Sequence, residues 1–228
     1  TRIHYVITGG GFAPNVVPDF AEVYYYVRHP NAPTVLELFE RVARAAEGAA
    51  MGTGTEVEYE VIHGLYDLVP SVALGELMDA NLRKVGGVEY TEAERAFAME
   101  IQASFEGGAR RPLGSEGEIE QFTVEPPGGG STDVGDVSWV VPTAGLSTAT
   151  WVPGTSAHSW QAVAAGGTGI GHKGMMVAAK TLALTAIDLF QSPDVIAAAW
   201  DELRERRGPG FEYVALLGDR APALDYRR

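Results

Sequence analysis

The chain has 228 residues, is 46% apolar and carries a formal charge of −13 with a pI near 4.8, which suits a globular protein with a sizeable core. The negative field argues against nucleic acid or anionic membrane as a partner, since both attract clusters of Lys and Arg. With no cysteine in the chain, disulfides, thiolate metal sites and a cysteine nucleophile are excluded, and any metal has to be held by His and carboxylates.

Residues 2–8, RIHYVIT, and 21–28, AEVYYYVR, are rich in β-branched and aromatic side chains, and the Gly/Pro/Asn-rich GGGFAPNVVPD lies between them. This reads as strand, long loop, strand. In the next stretch Pro33 stands near the start, and Val35, Leu38, Phe39, Val42 and Ala46 recur at helical spacing, which predicts an amphipathic helix over about 34–48. Residues 55–68, TEVEYEVIHGLYDL, alternate Val57, Tyr59 and Val61 against glutamates and predict a half-buried strand. The first unit is therefore expected to be β-β-α-β, a small antiparallel sheet covered on one face by a helix.

After Pro70 the pattern changes to longer helices, SVALGELMDANLRKVG and EAERAFAMEIQASFEGG, the second with Thr91 as N-cap and Glu94 at the capping-box position. The span 107–120 reads as an exposed loop; strands are expected at VSWVVPT and STATWV, then helices at HKGMMVAAKTLALTAIDLF and SPDVIAAAWDELRERRG. Ser192 and Pro193 start the last helix, and the only dense basic run, Arg204–Arg207, ends it, where cations favour the helix dipole. Strands among long helices predict a layered α/β second unit. No apolar run approaches bilayer length and no signal segment precedes the first strand, so a cytoplasmic compartment is the default expectation. Thr1 opens directly into a strand pattern, as in a chain that begins inside a fold.

Four features could carry chemistry. GIGHKG, 169–174, satisfies G-x-G-x-x-G, with Asp188 at about the spacing of a ribose-binding acid. The context is wrong for a dinucleotide, because no good strand precedes it and Asp188 sits on the same helix, so a glycine-rich helix start is the better reading. GGGSTDVGD, 128–136, suits either an anion nest of backbone N–H groups with Ser131 and Thr132 as added donors, or an irregular surface loop; Asp133 and Asp136 there fit turn chemistry. His4, His29, His63 and His172 have ordinary structural explanations. His158, in VPGTSAHSW, follows a predicted strand end in a turn of small residues, where a side chain can be aimed into a cleft. There is no H-E-x-x-H and no G-x-S-x-G, so the residues themselves show neither a general base nor a nucleophile.

The ordered string HYVITGGGFAPNVVPDFAEVYYYVR, GGGSTDVGDVSWVVPT, PGTSAHSWQ and GIGHKGMMVAAK resembles the dinuclear metallo-aminopeptidase and amidohydrolase superfamily of aminoacylases and glutamate carboxypeptidases. It is most similar to the aminobenzoyl-glutamate hydrolase branch. The resemblance implies an α/β fold in two parts. Residues 1–68 correspond to the later ββαβ portion of a ferredoxin-like (βαββαβ) lid and dimerisation domain, and 69–228 to the second half of a layered catalytic α/β metallohydrolase domain. The half that would hold the remaining metal ligands and the glutamate base is not matched.

By the same resemblance Asn15 contacts substrate and Arg28 pairs with a substrate carboxylate, for which a guanidinium fork is well shaped. Gly129, Gly130, Ser131 and Thr132 form a carboxylate-binding turn, and His158 is the last metal ligand. The implied reaction is amide hydrolysis of an N-acyl amino acid such as aminobenzoyl-glutamate, assisted by two divalent ions, zinc or manganese. Implied partners are a carboxylate-bearing small molecule, a second copy of the chain through the lid, and a companion polypeptide carrying the missing half. Alone, the chain would then hydrolyse nothing and bind metal poorly. The rival expectation is a non-catalytic dimerisation or binding module built on that fold. A third, Thr1 as an N-terminal nucleophile, lacks a neighbouring base in the sequence.

Overall fold

A computed structural model describes residues 1–108, 110–124, 130–221 and 224. They fall into two compact units. One contains 1–68, 131–137 and the C-terminal segment from Glu212; the other contains 69–130 and 138–211.

In the first unit, strands β1 (Arg2–Gly9) and β2 (Glu22–Arg28) pair antiparallel, with Arg2 opposite Arg28 and Tyr5 opposite Tyr25. The pairing slips between Ile7 and Gly9, where the long loop begins. Ile3, Tyr5, Val6 and Ile7 are all exposed, so the hairpin buries neither face fully. Helix α1 (Ala32–Thr53) is longer than the apolar spacing predicts, because Asn31 caps its start by accepting from the Thr34 amide (3.1 Å) and Gly54 ends it in the left-handed conformation (φ 68°).

The strand expected over 55–68 is not formed: this segment is extended but joins no ladder. Its polar groups go elsewhere. The Tyr66 amide donates to Asp136, Asp67 accepts from the Ala32 amide at the start of α1, and the Ile62 carbonyl accepts from Arg220. Tyr59 stacks edge-on against Phe39 of α1, so the alternation in sequence records partial packing and not a hydrogen-bonded sheet.

The second unit is helical: α2 (Val72–Val85), α3 (Glu92–Ala103), α5 (Trp160–Gly166), α6 (Gly169–Gln191) and α7 (Pro193–Arg207). The short α4 (Val134–Ser138) carries the chain from one unit into the other. Both strands expected between α3 and α5 are absent. VSWVVPT begins as the end of α4, then touches Pro70 through a single parallel bridge at Thr143. Pro70 and Pro142 lack the N–H that would extend such a ladder. STATWV lies against α6, with Thr148 Oγ1 donating to the Gly174 carbonyl (2.9 Å). Among the described residues the only sheet is β1–β2. The α/β expectation therefore survives as a mixed fold with a small sheet, while no layered sheet is formed among the described residues of the second unit.

The capping box of α3 is made as its sequence predicts, with reciprocal bonds between Thr91 and Glu94. Ala98 and Ile101 of α3, Val152, Ala165 and Ile170 form the buried core of this unit. The α2 start is capped from α7: Glu202 accepts from Ser71 Oγ (2.7 Å), Val72 N (2.9 Å) and Ala73 N (3.0 Å), placing negative charge at a helix N-terminus. Helix α6 turns Gly171, Gly174, Thr181 and Thr185 inward and leaves Met175, Leu182, Ile187 and Phe190 exposed. No single helix among the described residues is long and apolar enough to cross a membrane.

Candidate functional site

Arg28 and Ser131 are brought together in the first unit. Arg28 closes β2, and its Nη2 donates to Ser131 Oγ at 2.5 Å across 103 residues of sequence. Thr132, next in the chain, uses its hydroxyl locally: Oγ1 accepts from the Val134 amide (3.2 Å) and starts α4. Gly130 has nothing within 4 Å of where a Cβ would stand, and Gly129 lies outside the described residues. Two of the expected binding residues thus converge, and a third shapes the turn beside them.

Asn15 does not join them along the hairpin. It sits in the turn of the 10–21 loop, which leaves the ladder at the Gly9/Glu22 end, whereas Arg28 pairs with Arg2 at the other end. Six residues of strand at about 3.3 Å each put roughly 20 Å of β2 between the loop and Arg28.

The turn bearing Ser131 is anchored by a cluster that the sequence does not advertise. Asp136 Oδ1 accepts from the Tyr213 hydroxyl (2.9 Å) and its Oδ2 from the Tyr66 amide (3.3 Å). The bond to Asp136 is the leading cause that holds the Tyr213 phenol above its ordinary pKa. The turn-chemistry expectation for Asp136 is thereby corrected: its carboxylate bonds residues 70 and 77 positions away and ties separate segments together.

His158 lies in the second unit. Val152 is 1% exposed and anchors the preceding turn, whose shape is set by Gly154 at φ 88° and by Thr155 donating from N (3.1 Å) and Oγ1 (2.7 Å) to the Val152 carbonyl. Gln102 grips the Pro153 carbonyl (2.9 Å). Ser159 then caps α5 by accepting from the Ala162 amide (3.3 Å). Between these fixed points His158 takes φ 59°, and it is the only non-glycine at positive φ among the described residues. Such a conformation is uncommon outside glycine, though His adopts it more readily than most residues, and here it is held by the turn bonds on either side. Its side chain is exposed and lines an open depression with Trp151, Ser159, Trp160, Ala162 and Val163.

The donor type suits a divalent ion, but the number does not. Among the described residues no group of three or more His, Asp or Glu side chains converges, so His158 by itself does not make a metal site.

The glycines of GIGHKG serve packing. A Cβ at Gly169 would stand 2.4 Å from the Glu94 carboxylate, at Gly171 2.1 Å from the Gly166 carbonyl, and at Gly174 2.4 Å from the Ala149 carbonyl. Lys173 binds Glu94 (2.5 Å) and the Glu89 carbonyl (2.8 Å). Asp188 accepts from buried Asn81 (2.8 Å), which is a helix-to-helix bond and not a ribose contact.

No protein-family model matches the chain. It is 38% identical over 213 residues to a p-aminobenzoyl-glutamate hydrolase subunit of Escherichia coli (strain K12), a match covering 83% of this chain and 44% of that protein. It is 28% identical over 206 residues to Xaa-Arg dipeptidase of Mus musculus, covering 89% and 40%, and 27% identical to the Homo sapiens protein of the same name over the same shares. The chain spans less than half the length of these relatives.

Proposed function

We propose that the chain belongs to the amidohydrolase and peptidase superfamily of these relatives and is the carboxylate-recognising and lid-bearing part of an amidohydrolase acting on p-aminobenzoyl-glutamate or a related N-acyl amino acid. The observation that carries this reading is the Arg28–Ser131 pair. A guanidinium and a hydroxyl side by side offer a substrate carboxylate a charge-assisted donor and a second hydrogen bond, and so orient the molecule by its acid end. Asn15 is proposed as a further substrate contact, from the loop at the opposite end of the hairpin.

His158 is proposed as one ligand of a divalent ion, zinc or manganese, whose other ligands and whose glutamate base come from polypeptide outside this chain. When bound, such an ion polarises the scissile carbonyl and activates water. In support, a lone imidazole is held at a conformation few residues adopt, in a chain that spans 44% of its relative. That relative is named as one subunit of a hydrolase, which supports a companion chain.

The test is reconstitution. The chain, supplied with a companion carrying the remaining length of the relatives, should hydrolyse p-aminobenzoyl-glutamate in a metal-dependent way. His158→Ala should abolish the activity, and Arg28→Ala should raise KM more than it lowers kcat. Failure of every reconstitution would favour the second reading, a non-catalytic dimerisation or binding module. That reading draws on the exposed apolar side chains of the hairpin, Ile3, Tyr5, Val6 and Ile7.

A further inference from the structure

We propose that Tyr213 is a positioning residue for the Arg28–Ser131 pair, acting through Asp136; the role of that pair in binding a carboxylate rests on the function proposed above. Ser131 stands five positions before Asp136, and the intervening backbone is closed on itself. The Val134 amide bonds Thr132 Oγ1 (3.2 Å), the Gly135 amide bonds the Thr132 carbonyl (3.3 Å) and the Asp136 amide bonds the Asp133 carbonyl (3.1 Å). A turn cross-linked in this way moves as one body, so fixing Asp136 fixes Ser131.

Asp136 is fixed from two directions, by the Tyr213 hydroxyl and the Tyr66 amide. The backbone is also seated without slack: a Cβ at Gly135 would lie 2.1 Å from the Tyr66 carbonyl oxygen. Tyr213 is in turn held by Tyr66. Their rings are 5.6 Å apart, and the Tyr66 hydroxyl donates to the Val214 carbonyl (3.0 Å). Leu216 closes on the same segment, since a Cβ at Gly64 would stand 2.7 Å from its Cβ. The C-terminal segment therefore latches the 131–136 turn onto residues 64–66, and the Tyr213 hydroxyl is the point where the latch engages the turn.

Tyr213→Phe removes that one oxygen and keeps the ring. Hydrogen exchange of the Val134, Gly135 and Asp136 amides should then accelerate about tenfold, the effect expected of losing a hydrogen bond to a charged group. Exchange in the β1–β2 ladder should not change. Binding of N-acetyl-glutamate, used as the carboxylate probe, should weaken about threefold. Asp136→Asn, which keeps a carbonyl acceptor, should fall between wild type and Asp136→Ala. Phe39→Leu, which loosens α1 against Tyr59, should raise exchange elsewhere in the unit and spare these three amides. Unchanged exchange at the three amides in Tyr213→Phe, or an equal rise throughout the ladder, would overturn the positioning role. If exchange rises locally but wild type and Arg28→Ala bind the probe equally, the latch stands and the carboxylate reading falls.

Discussion

Gly174 meets the carbonyl of Ala149 so closely that a Cβ on the glycine would lie 2.4 Å from that oxygen. The contact lays the 148–152 segment directly on α6, and Thr148 Oγ1 locks it there by donating to the Gly174 carbonyl (2.9 Å). Gly174→Ala should therefore destabilise by about 3 kcal/mol, because the obstacle is backbone on both sides and cannot rotate away. Gly48, inside α1 with nothing within 4 Å, is the control: Gly48→Ala should stabilise by about 0.5–1 kcal/mol through helix propensity. Urea unfolding midpoints that move in opposite directions would bear this out, and a neutral Gly174→Ala would refute the close contact.

Glu94 sets an acid limit on the second unit. Its carboxyl is held below the usual range first by the Lys173 ammonium and then by the Thr91 amide. A lowered carboxylate pKa adds stability above the ordinary value, near 4.5, and that stability is lost as pH falls through the folded value. The stability difference between wild type and Glu94→Gln should thus be largest at neutral pH and shrink steadily below about pH 4.5. A difference that is independent of pH would show that the pair contributes through shape alone.

His158 at φ 59° makes a paired prediction. His158→Gly relieves the left-handed backbone and should stabilise the chain by about 1 kcal/mol, while His158→Ala, which keeps a Cβ, should not. Both should lose metal-dependent hydrolysis in the reconstituted enzyme. Stability gained together with activity lost is the behaviour of a strained functional residue; a destabilised His158→Gly would mean that the imidazole holds the turn.

Asn81 is fully buried between α2 and α6, donating to Asp188 (2.8 Å) and Thr185 (3.3 Å) and accepting from Lys84 (2.8 Å). Asn81→Ala should cost about 2–3 kcal/mol, because it strands partners of a satisfied polar network. Adding Asp188→Ala should cost less than the sum of the two single changes, and thermal unfolding of the four proteins measures that coupling.

Local signals were legible where the physics is local. The Thr91/Glu94 capping box, the Pro193 start of α7, the loop between β1 and β2 and the turn around His158 all follow from short-range hydrogen bonding and from the backbone preferences of Pro and Gly. Arg28 and Ser131 could be named as binding candidates by resemblance, but nothing in their spacing of 103 residues says that they touch. The alternation at 55–68 and the apolar runs at 137–143 and 147–152 read as strands, but the first and last are extended chain that joins no ladder, and 137–143 is the end of α4 followed by a turn. Whether extended chain becomes a sheet depends on a neighbour with unspent N–H and C=O groups, and these segments met a carboxylate, two prolines and a helix instead.

Composition and order alone determined that this chain is acidic and without thiols, and its ordered motifs resemble those of an amidohydrolase and peptidase superfamily. Only the tertiary structure decided what GIGHKG is for, since the crowding of Gly169, Gly171 and Gly174 comes from residues 94, 166 and 149. It also decided that Asp136 answers to Tyr213, 77 positions away. Side-chain identity sets which bonds a residue is able to make; the packing of distant segments selects the ones it does make, because a buried or crowded group is satisfied by whatever backbone or side chain the fold brings to it.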